Sequence, residues 1–261
     1  MKKLLLFDLD GTLLTSDKTI SQRTMEAVLK MRDKGYMVGV STSRSESNSL
    51  RFIDSIRPEI IISSGGAMVS VGGKTVFTSE FGGSRTSEIL ATGRKICGDI
   101  NITVDTAGEN AEFYRNFDPP KDKLEESWGK SIRTDFADFD KPSLKICFEI
   151  FDEDKASRLK KELPDCDLIR FTDGYWYKVT RAGITKESAI QKLCEYLDIG
   201  LEDVTAFGDD LADIGMLRMC GTGVAMGNAL SEVKEASDIS IGSNDEDGIA
   251  DYLEVVYNTI V

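Results

Sequence analysis

Apolar and polar positions along the chain follow two rhythms. Lys3–Phe7 is a short apolar run, and Ser21–Lys34 places Met25, Val28, Leu29 and Met31 near helical spacing. Ser21 offers that helix an N-cap and Gly35 a stop. Tyr36–Ser41 then reads as a strand, Glu46–Ile56 as a helix and Ile60–Ser64 as another strand. Strand, helix and strand in this order imply a parallel sheet with right-handed crossovers.

The pattern changes near Thr78. Glu80-Phe81-Gly82-Gly83-Ser84 reads as a linker with two adjacent glycines. Beyond it come a helix near Ser87–Cys97, several mixed strands and an Asp-, Pro- and Lys-rich loop around Asp118–Lys123. A strand at Leu144–Phe151, a helix at Asp154–Leu163 and short strands at Leu168–Phe171 and Trp176–Thr180 follow. The opening rhythm then returns, with helices at Thr185–Leu197, Leu211–Met219, Leu230–Ala236 and Gly248–Tyr257. Strands at Val204–Phe207, Gly223–Met226 and Ile239–Ile241 alternate with them. The fold class expected is α/β: a Rossmann-like, doubly wound parallel sheet with an inserted α+β cap. The core takes residues 1–80 and 177–261 from both ends of the chain, and the cap takes 81–176.

Composition narrows the chemistry. A formal charge of −13 over 261 residues argues against nucleic acid or an anionic membrane as partner. With no histidine, Ser-His-Asp and Cys-His catalysis and His-ligated zinc are excluded. Five scattered cysteines without a CxxC pair read as reduced, packed thiols. The apolar stretch before Asp8 is too short for an export signal, so a cytoplasmic location is expected. Gly73-Lys74-Thr75 and Gly221-Thr222-Gly223 imitate nucleotide-binding loops, but Met68 and Met226 stand where glycines are required.

Ligands of doubly wound sheets bind outside the carboxyl ends of the strands. The first strand delivers Asp8 and Asp10 to that edge, and a second delivers Thr42 and Arg44. A later strand delivers Asp209, with Asp213 one turn further on. Lys186 falls in the first turn of a helix, where the dipole disfavours a cation unless an anion faces it. Carboxylates from two strands, a hydroxyl and a lysine fit magnesium-dependent phosphoryl transfer.

These residues resemble the haloacid-dehalogenase superfamily of phosphatases, in its Cof-type class with a large α/β cap between the second and third motifs. Asp8-Leu9-Asp10-Gly11-Thr12 matches the first motif, Thr42 in Ser-Thr-Ser-Arg the second, Lys186 the third and Gly208-Asp209…Asp213 the fourth. Val224–Ala229 and Asn244–Ile249 are further hallmarks. The resemblance implies Asp8 as nucleophile and Asp10 as general acid and base. It implies Mg²⁺ held by Asp8, the Asp10 carbonyl and Asp209, supported by Asp213. Thr42 and Lys186 would hold the phosphoryl group, Lys186 would also orient Asp8, and Arg44 would contact substrate phosphate. Tyr114, Arg115, Trp176 and Lys178 are candidate cap contacts. Three positions depart from the family pattern: Ala212 and Gly65 where asparagine is usual, and Glu187 where glycine commonly follows the lysine.

The expected function is hydrolysis of a small phosphorylated metabolite, a sugar phosphate foremost, by a monomer or weak homodimer. Two alternatives stay open: a phosphomutase, and a metabolite-binding or regulatory protein on a degenerate fold.

Overall fold

Four consecutive buried apolar side chains at Leu4-Leu5-Leu6-Phe7 form a strand where both faces of the sheet are covered. In the computed structural model, which describes residues 3–108, 110–119, 130–172 and 174–259, this is β1 (Leu4–Phe7). Next come α1 (Gln22–Asp33), β2 (Met37–Ser41), α2 (Glu46–Ile53), β3 (Ile60–Ser63), β4 (Met68–Val71) and β5 (Lys74–Thr78). The middle of the chain forms α3 (Gly83–Cys97), β6 (Ile102–Thr106), β7 (Phe113–Arg115), β8 (Ile132–Arg133) and β9 (Ser143–Glu149). It continues with α4 (Glu153–Glu162), β10 (Cys166–Arg170) and β11 (Trp176–Arg181). The last third holds α5 (Lys186–Leu197), β12 (Val204–Gly208), α6 (Ile214–Met219) and β13 (Thr222–Ala225). It ends in α7 (Ser231–Ala236), β14 (Ile239–Ser240) and α8 (Gly248–Thr259).

Two sheets result. The larger has eight strands in the order β14-β13-β12-β1-β2-β3-β4-β5. β1 pairs in parallel with β2 and with β12, so the two ends of the chain complete one sheet. The β12–β13, β13–β14 and β2–β3 pairs are parallel too, and only beyond β3 does the sheet turn antiparallel, at β4. Phe7 and Phe207 stack across the central pair, with centroids 4.6 Å apart. Ser21 caps α1 by accepting the Thr24 amide at 3.1 Å, and α1 packs against α8.

The smaller sheet has six strands in the order β10-β11-β9-β6-β7-β8. Its apolar face, with Ile102, Val104, Ile146, Phe148 and Val179, forms a separate core with residues of α3 and α4. α3 approaches so closely that a Cβ on Gly93 would meet the Phe148 ring at 2.7 Å.

The chain divides into one unit of Met1–Phe77 with Lys186–Val261 and another of Thr78–Thr185. The expected boundary at residue 176 therefore moves. β11 pairs antiparallel with both β9 and β10, so Trp176–Arg181 belongs to the inserted unit. The segment read as a linker is the start of that unit, because Phe81 is buried in its core and Gly82 precedes α3. The helix expected at Leu211–Met219 divides into a 3₁₀ turn, Leu211–Asp213, and α6, the turn being fixed by a capping box between Asp210 and Asp213. Beyond residue 119, the Asp-, Pro- and Lys-rich loop expected around Asp118–Lys123 lies outside the described residues. No described helix is long and apolar enough to cross a membrane.

Candidate active site

Because β1, β2, β3 and β12 run parallel, the residues following them meet at one edge of the sheet. Asp8 follows β1, Thr42 follows β2, Ser64 follows β3 and Asp209 follows β12. α5, which opens at Lys186, packs beside β3 and the Ser64–Gly66 turn. Four segments distant in sequence thus deliver their polar ends to one place.

Lys186 is the hub. Its Nζ donates to Asp8 Oδ1 at 2.5 Å and to Asp213 Oδ1 at 2.6 Å. The other Asp213 oxygen accepts the amides of Asp209 and Asp210, each at 3.1 Å, so this buried carboxylate orients the loop that carries Asp209. One oxygen from each of Asp8, Asp209 and Asp213 falls within 4.8 Å of the others. Thr12 donates to Asp209 Oδ1 at 2.6 Å. Gly11, at φ +80°, must be glycine, since a Cβ would be strained and would overlap the Asp209 carboxylate.

The cluster is short of positive charge. Burial pushes the Asp8 carboxyl well above its usual range; Lys186 pulls it down while Asp213 and Asp209 add to the rise. Burial likewise lifts Asp209 to about 6, against the Thr12 hydrogen bond and with help from Asp213 and Asp210. Burial opposes the Lys186 charge, but Asp213 and Asp8 outweigh it and hold the ammonium above its usual range.

Asp10 lies in a different environment. Arg44 donates to both its oxygens, at 2.6 and 2.8 Å, and Lys18 adds a bond of 2.9 Å. Burial would raise this carboxyl, yet Arg44 and then Lys18 overcome it and hold it at about 2. Arg44, expected at substrate phosphate, is here directed at Asp10. The Asp10 carboxylate is not among the three oxygens that cluster near Lys186.

Thr42 is buried, and its hydroxyl accepts the Arg44 amide at 3.1 Å. Its carbonyl accepts the Gly65 amide, and the Arg44 carbonyl accepts the Ser64 amide. Gly65 sits at φ 70° between two further positive-φ residues, so the turn favours a residue without a Cβ. Ala212 is exposed. Glu187 is accommodated by Gly215, where any Cβ would overlap its carboxylate.

Several residues in and around these motifs have partners that their local sequence does not reveal. Thr12 holds Asp209, and Asn228 Nδ2 donates to the Gly11 carbonyl at 2.8 Å. Asn244 donates to the Leu14 carbonyl at 2.8 Å, Asp245 accepts the Ser16 amide at 2.7 Å, and Ser21 donates to Asp247. The downstream hallmarks therefore fasten the loop that follows β1. Lys18, at φ 58°, carries no motif signal and was missed.

A family model described as haloacid dehalogenase-like hydrolase matches residues 5–253. The chain belongs to that family. Among relatives of this haloacid dehalogenase-like hydrolase, a 5-amino-6-(5-phospho-D-ribitylamino)uracil phosphatase of Bacillus subtilis is 29% identical over 250 residues, covering 95% of this chain and 93% of that protein. An HMP-PP phosphatase of Yersinia pseudotuberculosis is 27% identical over 268 residues, covering 97% of this chain and 94% of that one. A solved sugar phosphatase of haloacid dehalogenase subclass IIB superposes with a TM-score of 0.81 at 26% identity, covering 98% of this chain and 99% of that structure. As a member of the family the chain is an enzyme, a phosphatase of mixed α/β fold.

Proposed function

We propose that this phosphatase hydrolyses a small phosphorylated metabolite, a sugar phosphate foremost, through an aspartyl-phosphate on Asp8. The observation that carries the reading is the Lys186 ammonium shared by Asp8 and Asp213 inside a three-carboxylate cluster. Three carboxylates against one ammonium leave two negative charges in excess, the charge of one divalent cation. The donors are hard oxygens, which suits Mg²⁺. Asp8, Asp209 and the Asp10 carbonyl would hold it, with Asp213 behind them. When bound, the metal supplies charge balance for the transferring oxygens.

Lys186 orients Asp8 and stabilises its ionised form, the form that attacks phosphorus. As the phosphorus–oxygen ester bond breaks, the departing alcohol oxygen takes a proton from Asp10. Water then attacks the aspartyl-phosphate, Asp10 recovers the proton, and phosphate and free Asp8 result. Clasped by Arg44 and Lys18, Asp10 is a carboxylate, the form needed for the second step. To act as an acid it must exchange those partners for substrate. Thr42 and Lys186 hold the phosphoryl oxygens. The sugar phosphatase and the ribitylaminouracil phosphate phosphatase among its relatives support the substrate class.

The test is phosphate release from a panel of phosphorylated metabolites with Mg²⁺. Asp8→Asn lowers turnover by roughly 10⁴-fold or more, and chelation abolishes it. Unchanged turnover in Asp8→Asn would overturn the mechanism. Recovery of an isomeric phosphate ester in place of free phosphate would favour a phosphomutase.

A further inference from the structure

Lys18 reaches Asp10 from a backbone that few residues with a Cβ adopt, at φ 58°. Its surroundings are folded to hold it there. The Lys18 amide donates to the Thr15 carbonyl and the Thr15 amide to the Thr19 carbonyl, each at 2.9 Å. The Thr15 hydroxyl donates to the same Thr19 carbonyl at 3.0 Å. Asp245 fixes this turn from the far end of the chain, accepting the Ser16 amide at 2.7 Å and the Ser16 hydroxyl at 2.6 Å.

Stability does not account for this arrangement. The Lys18–Asp10 pair is open to water, its side chains 32% and 37% exposed, and such pairs contribute little. Left-handed backbone at a residue with a Cβ costs at least as much. Strain of this kind persists where it aims a side chain at a working group. The two cations also grip Asp10 differently. Arg44 covers both oxygens, with Nε on Oδ2 at 2.6 Å and Nη2 on Oδ1 at 2.8 Å, whereas Lys18 bonds to Oδ1 at 2.9 Å. Departure of Arg44 alone would leave Oδ1 held and Oδ2 open.

We propose that Lys18 is a positioning residue for the second half-reaction, holding Asp10 by Oδ1 while Oδ2 takes the proton of the attacking water. This rests on the phosphatase reading above and deepens it by assigning a residue to one step. Arg44 leaves Asp10 for the phosphoryl group when substrate binds. Once the alcohol has departed with its proton, Lys18 returns to the Asp10 carboxylate and holds it without Arg44. The water oxygen then bonds to phosphorus. The bond from phosphorus to the Asp8 oxygen breaks, its electron pair returns to the Asp8 carboxylate, and the water proton passes to Asp10 Oδ2. An Asp10 side chain free to swing would meet that water in a reactive orientation less often.

The experiment uses p-nitrophenyl phosphate with Mg²⁺, because a departing nitrophenolate needs no proton and the second step then shows. Rapid mixing follows nitrophenolate release, and acid quench with mass spectrometry measures the phosphate carried by the protein, with Asp8→Asn as the blank. Lys18→Met lowers kcat by roughly tenfold or more. It leaves kcat/KM, which reports the steps up to phosphorylation, close to wild type. Phosphoprotein accumulates and release shows a burst, and Lys18→Arg restores the wild-type pattern. Lys18→Gly repeats the effect of Lys18→Met on a backbone that accepts positive φ freely, so loss of the fold cannot imitate the result. A parallel fall in kcat and kcat/KM without phosphoprotein overturns the proposal, and so do unchanged kinetics in both variants. Either leaves the aspartyl-phosphate reading standing if the wild type carries phosphate. A wild type that turns over without ever carrying phosphate overturns that reading, and this proposal with it.

Discussion

Lys186 holds its position by charge: an ammonium buried this deeply is tolerated because Asp8 and Asp213 both accept from it. Asp10 makes the opposite case, a carboxylate held by cations, and the pH dependence follows from its sign. Its folded value of about 2 lies below the ordinary 3.8, so its ion pairs stabilise the fold above about pH 4, and that contribution is lost as pH falls through about 2. Asp10→Asn therefore lowers the melting temperature at pH 6, and the gap from wild type narrows as pH drops from 4 toward 2.5. A gap that stays constant over that range would show that the clasp is not the source. The placement of Asp8, Thr42 and Asp209 just after strands, and of Lys186 at the start of a helix, was legible because periodicity and spacing are local. The direction of the Arg44 side chain was not, since a guanidinium one turn from a phosphate site and one paired to a carboxylate have the same local sequence.

At the scale of elements, the loop after β1 is held by residues from the far end of the chain. Ser21 does two jobs there: it caps α1 and donates to Asp247 in the turn before α8. Ser21→Ala removes both and costs about 1–2 kcal/mol, read as a lower urea midpoint with an unchanged slope. Ser21→Asp keeps the cap but sets a second carboxylate against Asp247, and is expected to recover only part of the loss. Full recovery would mean that the Asp247 bond contributes nothing. The helix itself was legible from its apolar spacing and its cap. The split between Leu211–Asp213 and α6 was not, because it depends on Asp213 accepting the Asp210 amide, a choice of rotamer rather than of residue type.

The whole molecule is two cores threaded on one chain. Thr78–Thr185 carries its own apolar cluster and its own sheet, whereas β1 depends on β12 for a neighbour. A fragment of residues 78–185 is expected to unfold cooperatively on its own. A fragment of residues 1–77 leaves β1 as an apolar edge strand and is expected to aggregate. Circular dichroism melts of the two fragments test this, and a cooperatively folded 1–77 would contradict it.

By itself the sequence determined the alternation of strands and helices, the insertion of a second unit and the carboxylate motifs at the strand ends, because periodicity, caps and fixed spacing are local properties. The point where that unit closes, at Thr185 rather than 176, waited on the pairing of β11 with β9 and β10. The charge excess around Lys186 and the clasp on Asp10 were decided by tertiary structure alone. Each depends on which distant side chains share a low-dielectric space, and burial and Coulomb terms act through space rather than along the chain.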